Sequence, residues 1–367
     1  MSLPPDENFN SVQSSPSLSE RRQSASKNSR QKSSGVQIKS GIIYIQFLLL
    51  LILIIGIFVN TFYQKKIINQ SMTSIEKEQA VLNAELSRLT DSVESMERLQ
   101  NALVSNQSSE TILTYDEYGN MIHVPLLADV PRNSYDWTCL QTKNGFKNYI
   151  VDDVITSYRG IDVATFQGEV DWQEVKNAGV DFAMIRLGYR GYGSGAILLD
   201  ERFEANIKGA TDAGIDVGVY FFSQAISEEE AIEEANFVLE NIKNYNITYP
   251  IAFDMEPITY DVARTDYLTG RQITNFAGAF CDTIDAAGYI PTIYSNKRTF
   301  LLKLDLSSLS RYHFWYASYQ SQPDYPYDFQ IWQYSESGSV SGIQTTVDLN
   351  ICFVDYPALT REKRGRQ

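Results

Sequence analysis

Hydrophobic residues follow three different patterns along the chain, and each predicts a different kind of element. The first is a continuous run: residues 42–59 are apolar except for Gln46 and Gly56. A helix of this length spans about 30 Å, which is the thickness of a bilayer core. Because no face of that helix would be polar, a helix in the core of a soluble domain is a poor alternative. We predict a transmembrane helix over residues 41–63.

A cleavable signal peptide is the second alternative for the same run. The basic segment before the run is too long for one, the run exceeds the usual apolar length, and Asn60-Thr61-Phe62-Tyr63 is a poor cleavage site. Six basic residues precede the run, whereas only Lys65 and Lys66 follow it closely. This asymmetry predicts a single-pass type II membrane protein, with residues 1–40 as a disordered cytoplasmic tail and the rest extracytoplasmic.

The second pattern is a heptad repeat within residues 64–105. Its seam consists of two interleaved series: Ile68, Ile75, Leu82, Leu89, Met96 and Leu103, then Met72, Gln79, Leu86, Val93 and Gln100. Five heptads without Pro or Gly predict a parallel coiled-coil stalk, and therefore a homo-oligomer. A single amphipathic helix packed on the following domain is the alternative. Gln79 and Gln100 would weaken the seam and help to fix its register.

The third pattern is an alternation of strand-like and helix-like segments, which begins near residue 158. Residues 106–157 before it are mixed, and we assign them to a linker or small accessory segment. The predicted strands are Gly160–Val163, Phe182–Leu187, Asp216–Phe222, Ile251–Met255, Ile290–Tyr294, Phe314–Ala317, Phe329–Gln333 and Thr346–Ile351. The predicted helices are Trp172–Ala178, Phe203–Ala213, Glu228–Tyr245 and Gly270–Ala287, and Ser227 is the predicted N-cap of the third.

Eight strands with helices between the early ones predict an α/β fold, an irregular TIM-like (β/α) barrel. The helical signal weakens after Tyr294, so the second half is the irregular one. In such barrels the chemistry lies at the C-terminal ends of the strands. Closure of the barrel would make the first and last strands neighbours.

Four acidic residues lie at or near the ends of the predicted strands: Asp162, Asp254, Glu256 and Asp348. A carboxylate in an apolar strand is costly to bury, so four of them in one domain indicate a site that needs carboxylates. A strand points Asp254 and Glu256 to the same face, about 6.6 Å apart. Two carboxyl groups at this separation are the usual apparatus for cleaving a glycosidic bond. Taken singly, each acid has a simpler interpretation as a helix cap or ion-pair partner.

The composition excludes several other classes of function. The net charge of -14 disfavours nucleic acid as a partner. Three Cys do not form a disulfide framework, and their spacing does not fit a metal site. With only His123 and His313 present, a site with several His ligands is excluded. We therefore predict no metal.

The chain resembles glycoside hydrolase family 25, the Chalaropsis-type lysozymes, from about Tyr158 to Tyr356. The segments that carry the resemblance are Gly160-Ile161-Asp162-Val163, Phe166-Gln167-Gly168, Asp171-Trp172, Phe182-Ala183-Met184-Ile185-Arg186, Asp200 with Phe203 and Asn206, Gly218-Val219-Tyr220-Phe221-Phe222, Asp254-Met255-Glu256, Pro291-Thr292-Ile293-Tyr294, Trp315-Tyr316-Ala317-Ser318-Tyr319, Ile331-Trp332-Gln333-Tyr334 and Asp348-Leu349-Asn350. Their order and spacing are more specific than any one of them. The resemblance assigns residues 158–358 to the lysozyme domain and leaves 359–367 as a basic C-terminal tail.

The resemblance implies hydrolysis of the β-1,4 bond between N-acetylmuramic acid and N-acetylglucosamine in peptidoglycan, without a cofactor. By position, Glu256 resembles the general acid of the family. Asp254 resembles the residue that assists it by orienting the substrate N-acetyl group or the water. Asp162 and Asp348 resemble the flanking acids that tune the pKa values of the other two. The spacing leaves retention and inversion both open.

Aromatic residues at strand ends are candidates for packing on the apolar faces of sugar rings. They are Tyr220, Tyr294, Trp315, Tyr319 and Trp332, and Gln333 is a candidate for hydrogen bonding to a sugar hydroxyl. Core packing is the alternative for each aromatic. We expect a peptidoglycan hydrolase for wall remodelling or local wall opening. Because peptidoglycan is a bacterial polymer, the resemblance implies that its anchor lies in a bacterial cell membrane. The alternatives are a non-catalytic, glycan-binding membrane scaffold and, less favoured, a barrel hydrolase of another N-acetylated polymer.

Overall fold

The computed structural model describes residues 33–104, 110–116 and 118–365, and the chain divides into two units between Lys77 and Glu78. Helix α1 comprises Ser33–Val104, and its part Ile43–Ser87 is long and apolar enough to cross a membrane. The cytoplasmic tail predicted for residues 1–40 lies outside the described residues up to residue 32. Seven apolar residues of the predicted heptad seam are exposed: Ile68, Met72, Ile75, Leu82, Leu86, Leu89 and Val93. The coiled coil itself stays a prediction.

The segment between this helix and the barrel contains two small sheets. Strands β1 (Thr111–Tyr115) and β2 (Met121–Pro125) form an antiparallel hairpin. Strands β3 (Leu140–Lys143), β4 (Phe146–Val151) and β5 (Val154–Ile155) form a three-stranded antiparallel sheet. A short 3-10 helix, Trp137–Cys139, precedes β3.

Eight strands close into a barrel, which confirms the predicted α/β barrel fold. They are β6 (Tyr158–Val163), β7 (Phe182–Arg190), β9 (Asp216–Phe222), β10 (Ile251–Asp254), β11 (Pro291–Asn296), β12 (His313–Ala317), β13 (Ile331–Gly338) and β14 (Val347–Cys352), while β8 (Ile197–Leu199) pairs with β7 outside the ring. The ring closes because β6 pairs with both β7 and β14. The first and last strands are therefore neighbours, as expected.

The last strand departs from an all-parallel barrel. Strand β14 is antiparallel to both β13 and β6. Only residues 339–346 connect β13 to β14, and a parallel connection needs a crossover of a dozen residues or more. The reversal has a consequence for the site, because the N-terminal end of β14 now lies at the same rim as the C-terminal ends of the other strands.

Helices cover the outside of the barrel. The four predicted helices are present as α2 (Trp172–Asn177), α3 (Phe203–Asp212), α4 (Glu228–Ile242) and α5 (Gly270–Ala286). The structure adds the short helices α6 (Lys297–Leu302) and α7 (Leu306–Leu309), helix α8 (Tyr356–Gly365) and a 3-10 turn at Thr165–Gln167. Ser227 caps α4 by accepting a hydrogen bond from Glu230 N, as predicted. Thr269 and Gln272 form a capping box at the start of α5.

The segment predicted as a basic C-terminal tail is helical as far as Gly365, since it is part of α8. Tyr356 of α8 is fully buried and packs with Phe182, Met184 and Tyr249 in the lower core of the barrel. Gly160 of β6 is required beside this core, because a Cβ there would lie 2.1 Å from Phe182 Cζ. Aromatic rings thus fill much of the lower half of the barrel.

Candidate active site

The strand register brings the four predicted acids to one rim of the barrel. Asp162, near the end of β6, lies directly opposite Asp348, the second residue of β14. Asp254 is the last residue of β10, and Glu256 follows it by two positions. Asp162 and Asp254 are buried, Asp348 is half-buried and Glu256 is exposed. Each acid acts electrostatically on at least one of the others, so the four form a single cluster.

The Asp162–Asp348 pair is held by amide donors. Asp162 Oδ2 accepts hydrogen bonds from Asn350 Nδ2 at 2.7 Å and from Gln333 Nε2 at 3.0 Å, and Asp348 Oδ2 accepts from the same Gln333 nitrogen at 3.2 Å. Burial raises the pKa of Asp162 to about 6, although both amide bonds oppose the rise. Burial and the neighbouring Asp162 raise the pKa of Asp348 to about 8. Near neutral pH the pair therefore favours retaining one proton, which the two carboxyl groups share.

Gln333 has a different role from the one its sequence position predicts. It is almost fully buried, and its Oε1 accepts hydrogen bonds from Tyr294 Oη at 2.9 Å and Tyr319 Oη at 3.0 Å. With Nε2 donating to both aspartates, the amide has no unused capacity for a sugar hydroxyl. The expectation of direct glycan binding by Gln333 is therefore wrong. Gln333 instead connects two tyrosines to two carboxyl groups.

The Asp254–Glu256 pair lacks amide donors of this kind. Asp254 Oδ1 is buried and accepts no hydrogen bond within the described part of the chain. Burial, reinforced by Glu256 and Asp162, raises the pKa of Asp254 well above its usual range, and Arg186 opposes the rise. Glu256 is exposed at the rim, yet desolvation by the surrounding protein and the nearby Asp348 still raise its pKa. Both carboxyl groups are therefore biased towards the protonated state.

The main chain of Glu256 is fixed by a buried side chain that the sequence did not reveal. Gln224, two residues beyond β9, is fully buried and donates from Nε2 to the Glu256 carbonyl at 3.2 Å. Its Oε1 accepts from Thr265 Oγ1 at 2.8 Å. Ser223 N also donates to the Asp254 carbonyl at 2.7 Å. The end of β9 thereby holds the segment that carries both acids.

Arg186 and Asp200 are further residues that we did not assign to the site from the sequence. Arg186 lies in β7 and pairs with the buried Asp200 at 2.7 Å. Its guanidinium lies 4.8 Å from the ring centroid of Phe166 and favours the ionised form of Asp254. A charged residue inside the apolar run Phe182–Leu187 is the same signal that identified the acids, and it was available in the sequence.

The predicted sugar-binding aromatics divide into two groups. Tyr220 and Tyr294 are half-buried near the acid cluster, and Tyr319 is 50% exposed beside them. Trp315 is only 2% exposed, donates to Asn350 Oδ1 and lies beneath the rings of Tyr220 and Tyr294. Trp332 is fully buried in the outer core. The expectation that Trp315 and Trp332 contact the glycan is therefore wrong.

Alternation along β13 explains the error at Trp332. Ile331 and Gln333 face the barrel interior, so Trp332 between them faces outward. There its ring packs on Trp137 and its Nε1 donates to the Ser318 carbonyl at 2.7 Å.

Within residues 33–104, 110–116 and 118–365, no group of three or more His, Cys, Asp and Glu residues is arranged to hold a metal ion.

Comparison with known proteins identifies a family and several similar proteins. Residues 161–343 match the family model described as glycosyl hydrolases family 25. The chain is 30% identical over 206 residues to lysozyme M1 of Streptomyces globisporus, covering 52% of this chain and 66% of that protein. It is 27% identical over 193 residues to the autolytic lysozyme of Clostridium acetobutylicum, covering 52% and 55%. The chain thus spans about two thirds and about half of the length of these relatives.

Among solved structures, the bacterial lysozyme from Streptomyces coelicolor matches the chain at 25% identity, with a TM-score of 0.48 and coverage of 57% of this chain and 98% of that one. The matched residues 161–343 include Asp162, Asp254 and Glu256. Asp348 lies just beyond them, but β14 brings it opposite Asp162. By its family model and its relatives, the chain belongs to glycosyl hydrolases family 25.

Proposed function

We propose that the protein is a membrane-anchored peptidoglycan hydrolase that cleaves the β-1,4 bond between N-acetylmuramic acid and N-acetylglucosamine. The observation that carries this proposal is the cluster of Asp162, Asp254, Glu256 and Asp348 at one rim of a closed barrel. Carboxyl groups with separated roles are what glycosidic cleavage requires. The similarity to a lysozyme and an autolytic lysozyme supports peptidoglycan as the substrate.

In this proposal Glu256 is the general acid. Its exposure at the rim makes it accessible to a glycosidic oxygen, and its raised pKa favours the protonated form that such an acid needs. Transfer of its proton to the leaving oxygen neutralises the charge that develops as the bond breaks. The Gln224 bond to the Glu256 carbonyl supports the position of this residue.

Asp254 has the assisting role. Its buried Oδ1 accepts no hydrogen bond from the described residues and is therefore suited to accept one from a substrate N-acetyl N–H. Water then supplies the hydroxyl group that bonds to the sugar carbon, and its remaining proton restores the protonated form of Glu256. Asp162 and Asp348 share one proton close by, so the total negative charge at the rim stays small before the substrate arrives.

We extend the proposal to the N-terminal half of the chain. An apolar helix of sufficient length supports an anchor over residues 41–63, and the basic residues before it favour a cytoplasmic N-terminus. The exposed apolar seam between Ile68 and Val93 supports a coiled-coil stalk over residues 64–105 that pairs with further copies. Residues 158–358 then act on the wall outside the membrane.

The test uses the full-length chain in detergent with purified peptidoglycan. New reducing ends are identified by mass spectrometry for the native protein, for Glu256→Gln and for the control Glu240→Gln, an exposed glutamate on α4. Muramic acid reducing ends from the native protein and the control, lost in Glu256→Gln, would establish the proposed reaction. Glucosaminyl reducing ends would retain a hydrolase but contradict the bond assigned. Binding to peptidoglycan without any release by the folded native protein would favour the scaffold alternative.

A further inference from the structure

Residues 126–149, which we call the brace, lie before the matched family residues and form hydrogen bonds with one loop of the barrel. That loop, residues 318–330, connects β12 to β13, and we call it the rim loop. Asn133 N donates to the Pro326 carbonyl at 3.0 Å, and Asp328 N donates to the Pro131 carbonyl at 2.9 Å. These two bonds flank a β-bridge between Arg132 and Tyr327. The brace therefore adds a short strand-like edge to the rim loop.

Side chains extend the same contact in both directions. Leu127 N donates to Tyr327 Oη at 2.7 Å, and Tyr135 Oη donates to the Phe329 carbonyl at 3.1 Å. The rings of Tyr135 and Trp137 both pack on Phe329, at centroid distances of 5.8 and 6.1 Å. Buried backbone bonds of this kind hold a loop in one conformation. Of the rim loop, the part from Tyr325 to Phe329 is thus a packed element rather than a free surface.

Lys147, in β4 of the brace, fixes the other end of the rim loop. Its Nζ donates to the Ser321 carbonyl at 2.6 Å and lies 4.8 Å from the ring centroid of Trp332 and 5.7 Å from that of Tyr334. Trp332 Nε1 donates in turn to the Ser318 carbonyl. The ammonium group therefore joins β13 to the start of the rim loop.

The start of the rim loop carries Tyr319, which reaches the acid cluster. Tyr319 Oη donates to Gln333 Oε1, and Gln333 Nε2 donates to Asp162 and Asp348. Ser318 N also donates to the Gln333 carbonyl at 3.0 Å. A continuous series of contacts thus leads from Lys147 to the ring of Tyr319 and to the amide that orients two of the four acids.

We propose that the brace supports the rim loop at the glycan-binding cleft, and that Lys147 is a positioning residue which sets the affinity for glycan by holding Tyr319 in place. This inference deepens the proposed hydrolase function and rests on it. It assigns a role to residues outside the matched family segment. The Lys147 ammonium group contacts Ser321, Trp332 and Tyr334, so we expect its effect to reach the glycan through Tyr319 at the start of the rim loop.

The first measurement needs no substrate. Hydrogen exchange is followed in the full-length protein in detergent for the native chain, for Lys147→Met and for the control Lys143→Met, which removes an exposed lysine from the adjacent strand β3. We expect peptides that cover residues 318–330 to exchange at least about threefold faster in Lys147→Met only. Unchanged exchange in this variant would overturn the proposal, whether or not the native protein cleaves peptidoglycan.

The second measurement uses hydrolysis of soluble, uncrosslinked peptidoglycan strands. Losing one charge-assisted hydrogen bond in Lys147→Met is expected to raise KM about three- to tenfold with kcat nearly unchanged. Lys147→Arg retains a cation and donor and is expected to recover most of the affinity. Faster exchange of the rim loop with an unchanged KM would contradict the positioning role.

The double variant Lys147→Met, Tyr319→Ala separates positioning from general stability. If Lys147 acts through Tyr319, adding Lys147→Met to Tyr319→Ala changes KM by less than about 1.5-fold. Independent, multiplying effects would show that Lys147 acts by another route and overturn the proposal. A native chain that cleaves nothing would instead contradict the hydrolase function, while the exchange measurement would still decide whether Lys147 holds the loop.

Discussion

The two acid pairs at the rim both consist of carboxyl side chains, but the protein provides them with different hydrogen-bond donors. Asp162 and Asp348 lie opposite each other on antiparallel strands, and Gln333 and Asn350 donate hydrogen bonds to them. Asp254 and Glu256 follow one another along a single strand end, and Asp254 Oδ1 accepts no hydrogen bond from the described residues. Side-chain amides therefore stabilise the Asp162–Asp348 pair, whereas Asp254 Oδ1 is able to accept a hydrogen bond from a ligand.

This difference explains why the two buried aspartates have different pKa values. Burial raises the pKa of both, but amide donors limit the rise at Asp162 to about 6. Asp254 lacks these donors and has Glu256 beside it, so its pKa rises further. The protein thus assigns a structural role to one pair and a chemical role to the other through hydrogen bonds rather than through residue type.

The largest expected effect is the loss of kcat on substitution of Glu256 in the Asp254–Glu256 pair. We predict that Glu256→Gln lowers kcat about 1,000-fold, because the amide retains the shape but has no proton to transfer. The measurement is release of reducing ends from peptidoglycan, with Glu240→Gln as the matched control. An equal loss in both variants would contradict the role of Glu256, since Glu240 is exposed on α4.

Asp254→Asn is the next largest change. We expect kcat to fall about 100-fold, because an amide cannot lose a proton to become the strong acceptor for an N-acetyl N–H that an ionised carboxyl group is. Asp212→Asn, at an exposed position on α3, is the control. Should Asp162→Asn cost as much as Asp254→Asn at equal stability, the distinction between the two pairs would be lost.

Gln333→Leu removes the amide that donates hydrogen bonds to the Asp162–Asp348 pair. Four hydrogen bonds at a buried position disappear, so we predict a decrease of about 2–4 kcal/mol in the free energy of unfolding. Chemical denaturation of the folded barrel measures it, with Gln344→Leu in the exposed loop before β14 as control. A decrease no larger than in the control would mean that these bonds do not hold the pair.

The smallest effect concerns pH. The pKa of Asp348 is about 8 in the folded protein and about 3.9 in an unfolded chain. Between these values the folded state binds more protons at Asp348, so the contribution of this group to stability is fully present below about pH 3.9 and is lost as the pH rises towards 8. Allowing for partial exposure, we expect Asp348 to account for about 1–3 kcal/mol of the loss between pH 5 and pH 8.

Thermal unfolding across that pH range measures the effect in the native protein and in Asp348→Asn. The variant removes one titrating group, so its stability is expected to depend less steeply on pH. Asp212→Asn serves as the control and is expected to retain the native slope. A variant slope as steep as the native one would assign the shared proton to a residue other than Asp348.

Much of the barrel was predictable because its elements are locally encoded. Strand β9 has the predicted bounds, and α4 begins after the predicted cap Ser227. The four acids were predictable because charge inside apolar runs is conspicuous. The direction of β14 was not assigned, although the short connection over residues 339–346 was a usable signal. Helix α8 was missed because its charged residues resemble a solvated tail.

The division of the aromatic residues was not predictable from local pattern. Tyr319 and Trp332 both follow apolar runs, yet one is half exposed and the other is fully buried. The brace covers one face of β13, where Trp137 packs on Trp332. Its sequence has no hydrophobic periodicity from which these contacts could be predicted. The positioning roles of Gln333 and Gln224 could likewise not be predicted from the sequence, because their hydrogen-bond partners lie far away along the chain.

The sequence by itself determined the order of strands and helices, the apolar helix and the identity of the four acids. These properties follow from hydrophobic periodicity, from capping residues and from the cost of placing charge in a strand. Only the tertiary structure decided which acids receive amide donors, which aromatics reach the surface and which loop the brace holds. Hydrogen bonds and burial between distant segments depend on closure of the barrel, and no local pattern encodes them.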